Sequence, residues 1–118
     1  MRSALLVAVL AAGCTDTVVD DDVTFRRLRD EFTSFDQCLA EGNFTPCYQT
    51  LTLCPDSRTR IDLANAPQRG TYQLVESQAV LEFTIMGTIH FDLDSASSPE
   101  LPGVHDWERI EPISHGCD

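Results

Sequence analysis

The residues of this 118-residue chain best equipped for chemistry are its five cysteines, its three histidines and the carboxylates beside them. Histidine next to aspartate is the usual material of proton transfer and of metal ligation. His90 and Asp92 stand two places apart, so on a strand both side chains leave the same face. His105 is followed by Asp106, and His115 lies two places before Cys117. If neighbouring strands brought His90, Asp92 and His105 together, three ligands would converge on a metal ion. Scattered along the solvated face of a sheet, the same side chains do no chemistry, and the sequence favours that plainer reading. Asp92, Asp94 and Glu100 offer oxygen ligands for calcium, at a spacing that matches no calcium loop. There is no G-x-S-x-G elbow, phosphate-cradling glycine loop, H-E-x-x-H or C-x-x-C. The expectation is a protein that is not an enzyme and carries no cofactor.

The cysteines are more informative. An odd number in an exported protein leaves one outside the disulfide pairing. The chain opens with Arg2, an apolar run from Ala4 to Ala12, then Gly13 and Cys14. That order describes an export signal too short to span a bilayer. Small residues at Ala11, Ala12 and Gly13 directly before a cysteine resemble the lipobox of bacterial lipoproteins. The family usually carries leucine three places before the cysteine, where this chain has Ala11 and places Leu10 one position earlier. The resemblance implies cleavage after residue 13, a lipid on the Cys14 sulfur and an acyl chain, such as palmitate, on the new N-terminus. It further implies anchorage in the cell envelope. Thr15 stands where an aspartate would signal inner-membrane retention in enteric relatives, which implies the outer membrane.

With Cys14 assigned to lipid, Cys38, Cys47, Cys54 and Cys117 remain for two disulfides in an oxidising compartment. Cys47 and Cys54 bracket Tyr48–Leu53, which reads as one strand. Its ends lie about 23 Å apart, out of reach of each other. Two pairings stay open: Cys38 with Cys47 and Cys54 with Cys117, or Cys38 with Cys54 and Cys47 with Cys117. In both, Cys117 ties the tail to the first strand of the meander.

Composition narrows the partners. The formal charge is −11, and loss of Arg2 with the signal makes it one unit more negative. Such a chain is repelled by nucleic acid and by anionic headgroups. The membrane is therefore reached through the lipid on Cys14, and the expected partner is another envelope protein.

Stepping along the chain, residues 1–13 form the signal, 14–22 an acidic lipid-anchored tether, and 23–118 a single domain. From Val23 to Ala40, Phe25, Leu28, Phe32, Phe35 and Leu39 recur at gaps of three and four, which predicts an amphipathic helix. Thr33-Ser34 can divide it into two pieces. Beyond Pro46 the pattern alternates. Strands are expected around Leu51/Leu53, Ile61/Leu63, Tyr72/Leu74, Leu81/Phe83/Ile85, Phe91/Leu93 and 104–110, separated by turns. A three-residue loop at Met86-Gly87-Thr88 would set Phe83 opposite Phe91 and keep His90 and Asp92 out of the core. The fold class is therefore mainly β with one N-terminal helix (α+β). About six antiparallel strands form a meander, as a curved sheet or partial barrel braced by two disulfides.

Leu51-Thr52-Leu53, Gly70-Thr71-Tyr72, Phe91-Asp92-Leu93 and Trp107-Glu108-Arg109 resemble the strands of small lipocalin-like domains in bacterial lipoproteins. That resemblance implies a carrier of a small apolar ligand, with Tyr72, Phe83, Phe91 and Trp107 lining the pocket. Small barrels are also commonly filled by their own side chains, and the same four residues would serve as that filling. The leading expectation is a non-enzymatic adaptor or interaction module of the envelope. A ligand carrier, and a metal protein or enzyme using His90 and His105, are the alternatives.

Overall fold

The computed structural model describes residues 17–41, 46–63, 66–112 and 116–117. Within them lie seven strands and one short helix: β1 Val23–Leu28, α1 Phe35–Ala40, β2 Tyr48–Leu53, β3 Arg58–Asp62, β4 Gln68–Val75, β5 Gln78–Phe83, β6 Gly87–Asp92 and β7 Glu108–Ile110. All pairings are antiparallel, and the sheet order is β6-β5-β4-β3-β2-β1-β7. The sheet curls into a half-barrel. Its concave side is packed with Val23, Phe25, Leu51, Leu53, Ile61, Tyr72, Ala79, Leu81, Phe83, Ile89, Phe91 and Trp107.

Cross-strand register explains that packing. Phe25 pairs with Leu51, Leu51 with Ile61, and Leu81 with both Tyr72 and Ile89. Directly opposite residues share a face, so the alternating apolar positions of six strands add up to one continuous interior.

The helix expected over Val23–Ala40 is instead a strand followed by a six-residue helix. Val23, Thr24 and Phe25 are β-branched or aromatic, suited to a pleated surface. In the strand all three pair with β2, and Thr24 and Phe25 pair with β7 on the other side. The gaps of three and four are coincidental: Phe25 and Phe32 are buried, but Phe35 and Leu39 are exposed. The dividing point at Ser34 is real. Its hydroxyl accepts the Gln37 N–H at 3.1 Å and caps α1.

Three further expectations change. The loop between β5 and β6 does hold three residues, but they are Thr84, Ile85 and Met86, and Phe83 pairs with Gly87. The slip preserves the inward face, so Ile89 and Phe91 still point to the core while Ile85 is 82% exposed at the turn. Gly87 has φ of 78°, a conformation glycine adopts without cost. The last strand covers only Glu108–Ile110, because Val104 and His105 are held by side-chain bonds outside the ladder. Finally, residues 17–22 of the expected solvated tether lie on the fold. The Thr17 carbonyl accepts the Leu74 N–H at 2.8 Å, and Val18 and Val19 pack against the core.

The disulfides resolve the open alternative as Cys38–Cys47 and Cys54–Cys117. The first ties α1 to the start of β2. The second ties the tail to the end of β2, where the Arg58 guanidinium also donates to the Cys117 carbonyl.

Candidate functional site

Among the described residues, three places on the half-barrel bring specific side chains to an exposed face or a cleft. The first is its mouth. The 17–22 segment lies beside the C-terminal half of β4, and Tyr72 fixes it there. The Tyr72 hydroxyl accepts the Val19 N–H at 3.0 Å and donates to the Cys54 carbonyl at 2.6 Å. Burial raises the phenol pKa, with the Val19 N–H acting against it. Beside the segment opens a cleft of about 440 Å³. Val18, Val23, Phe25, Leu74 and Leu93 make its apolar wall, and Arg109, Asp20 and Asp21 stand at its rim. Arg109 reaches this face because β7 pairs it with Phe25.

The second place is on the outer face of β1 and β2. Tyr48 is stacked beneath the Phe35 ring, with centroids 5.5 Å apart, and the Arg26 guanidinium lies 4.2 Å from the Tyr48 centroid. Glu108 receives the Arg26 Nε–H at 3.1 Å. Phe35 is 44% and Leu39 59% exposed. The Cys38–Cys47 bond holds the helix that carries them against the sheet.

The third place is the opposite end of the interior from the mouth, about 13 Å along β1 from Val23. Arg27 follows Val23 and Phe25 in the inward alternation and is only 6% exposed. Its guanidinium donates to Gln49 Oε1 at 2.7 Å, to the Leu101 carbonyl at 2.8 Å and to the Pro102 carbonyl at 3.2 Å. It also lies 4.7 Å from the Trp107 ring centroid. Burial lowers its pKa, and the nearby charge of Asp30 works in the other direction. Gly103 has no side chain because a Cβ there would collide with this guanidinium.

No known family model, curated protein or solved structure matches the chain.

The residues singled out for chemistry go to separate places. His90 is on edge strand β6, with Nδ1 3.2 Å from Glu100 Oε2, and its backbone N–H donates to Glu100 Oε1 at 2.8 Å. Asp92 Oδ1 accepts the N–H groups of Asp94 and Ser95, both at 2.9 Å. His105 precedes the other edge strand, β7, and its Nε2 is 2.7 Å from the Phe32 carbonyl oxygen. His90 and Asp92 lie on β6 and His105 just before β7, strands that are not paired with each other. Among the described residues no group of three histidines, cysteines or carboxylates gathers to hold a metal. Cys14 and His115 lie outside the described residues.

Of the residues expected around a ligand pocket, Tyr72, Phe83, Phe91 and Trp107 are all buried. Phe91 lies 4.8 Å from Phe25 and 5.8 Å, edge to face, from Trp107. They fill the half-barrel, and the clefts described above lie at its two ends. Arg27 escaped sequence reasoning because a helical reading of Val23–Ala40 hides its place in the strand alternation. The signal was available in Val23, Phe25 and Arg27 taken two by two.

Proposed function

We propose that this chain is an exported protein, anchored through lipid on Cys14 to the bacterial outer membrane, that works by binding and not by catalysis. One observation carries the reading. Cys38, Cys47, Cys54 and Cys117 are engaged with one another, which leaves Cys14 no cysteine to pair with in its own chain. Disulfides of this kind persist in exported proteins, and a leftover cysteine after an apolar leader is the one available for acylation.

The anchor would hold the domain close. Thr15 and Asp16 alone separate Cys14 from Thr17, whose carbonyl is bonded to β4. Three residues span about 10 Å at most, so the mouth would sit just above the bilayer. The outer Phe35–Tyr48–Arg26 face supports an adaptor role with another envelope protein as partner. Exposed aromatic side chains and arginine are the residues enriched where proteins associate. Intact mass measurement of the native protein tests the anchor. The expected species begins at Cys14 and carries acyl chains; an unmodified Cys14, or a free thiol among the other four cysteines, defeats the reading.

A second reading, a carrier of a small apolar ligand, is favoured by the cleft at the mouth. Its volume of about 440 Å³ is in the range of small-molecule sites, and about half of its lining is apolar, from Val18, Val23, Phe25, Leu74 and Leu93. Native mass spectrometry separates the two, since a carrier retains a lipid or metabolite in stoichiometric amount.

A further inference from the structure

The far end of the half-barrel holds a buried arginine whose acceptors are all neutral and a buried indole N–H without an acceptor. Arginine has five N–H donors, and three of those on Arg27 are engaged, by Gln49, Leu101 and Pro102. One N–H on each terminal nitrogen remains. All three acceptors are neutral, and among the described residues no carboxylate forms an ion pair with Arg27. The charge of Asp30 acts on Arg27 without an ion pair, and its carboxylate accepts the Val104 N–H at 3.0 Å. The indole N–H of Trp107 is buried and has no hydrogen-bond partner among the described residues. Buried polar groups are nearly always partnered, and a buried cation with no counter-charge is costly.

Both side chains line one cleft of about 170 Å³. Ser97, Ser98 and His105 add further polar atoms to its wall, and Asp106 stands at its rim. From this arrangement we infer that the cleft is a binding site for a small monocarboxylate, received by the guanidinium of Arg27 with the Trp107 indole beside it. A carboxylate matches paired N–H donors of arginine and brings the missing charge, which a water molecule does not. The cleft has room for a small organic acid. The carboxyl of Asp106, and the strongly acidic chain around it, select against anions of higher charge. Arg27 also holds the Leu101 and Pro102 carbonyls, so occupancy would stiffen the strap that closes this end. The inference does not depend on the lipid anchor.

Trp107 is the only tryptophan and reports on the site directly. The test is fluorescence titration of the purified protein, both disulfides closed, with sodium acetate and sodium propionate, against sodium chloride at matched ionic strength. A saturable change with the carboxylates and none with chloride is expected. Asp106→Asn removes one exposed repelling charge and should lower the half-saturation concentration about threefold. Arg27→Gln should abolish saturation; if that variant does not fold, Asp106→Asn carries the test. A linear response, equal saturation by chloride or phosphate, or a half-saturation point unmoved in Asp106→Asn would each overturn the proposal.

Discussion

Tyr72 joins three parts of the molecule through one hydroxyl, which receives the Val19 N–H and donates to the Cys54 carbonyl. Removing that oxygen leaves a donor and an acceptor unpaired in a mostly buried place. Tyr72→Phe is therefore expected to lose about 1–3 kcal/mol of stability, read as a lower urea midpoint with an unchanged slope. It should also release the 17–22 segment, seen as faster amide exchange at Val19 and Leu74.

Asp92 and Glu100 set the acid response of the 92–101 loop. The Ser95 backbone N–H is the main cause holding Asp92 below its ordinary 3.8, and the His90 backbone N–H does the same for Glu100 below 4.5. Both folded-state values are depressed, so the unfolded chain takes up protons first as the pH drops. The stability they contribute is complete above those ordinary values and disappears as the pH falls through the depressed folded ones. The urea midpoint should decline below about pH 4.5, and Glu100→Gln should flatten that decline. At this scale the sequence was partly readable. Asp92 and His90 could be placed on the outer face by alternation alone, but their partners come from a loop whose path no local pattern encodes.

Among the elements, β4 and β5 show how closely backbone can approach backbone. Gly70 pairs with Phe83, and a Cβ at that position would press into the Glu82 carbonyl oxygen and the Phe83 ring. Gly70→Ala must part the two strands, at a cost of about 1–3 kcal/mol, measurable by denaturant unfolding. The alternation from Tyr48 onward makes five of these strands and their inward residues legible in the sequence. The Val23–Ala40 stretch was not legible. Its spacing satisfies a helix, and what overrules it is pairing with β2 and β7, two segments distant in sequence. The hairpin at Gly87 slipped for a related reason. Both registers keep Ile89 and Phe91 inside, so the apolar pattern cannot choose between them, and the conformation of Gly87 does.

For the molecule as a whole, the two disulfides differ in what they restrain. Cys54–Cys117 closes a separation of 63 residues, and Cys38–Cys47 one of 9. In the chain-entropy account these restrict the unfolded state by about 4 and about 3 kcal/mol respectively. Replacing Cys54 and Cys117 together by serine should thus lower the unfolding free energy more than replacing Cys38 and Cys47, as compared by urea titration. The sequence narrowed the pairing to two schemes. Only the placement of α1 against the start of β2 selected between them.

The half-barrel is open, so β6 leaves one rim of the sheet unpaired by any strand. That rim is blunted by its own loop: the outward N–H of His90 is taken by Glu100, and that of Asp92 by the Ser97 carbonyl at 2.8 Å. These plugs deny a second molecule the ladder it would need to zip on. Glu100→Ala would uncork the rim, and slow self-assembly into larger particles should then follow on concentration, where the parent chain stays dispersed.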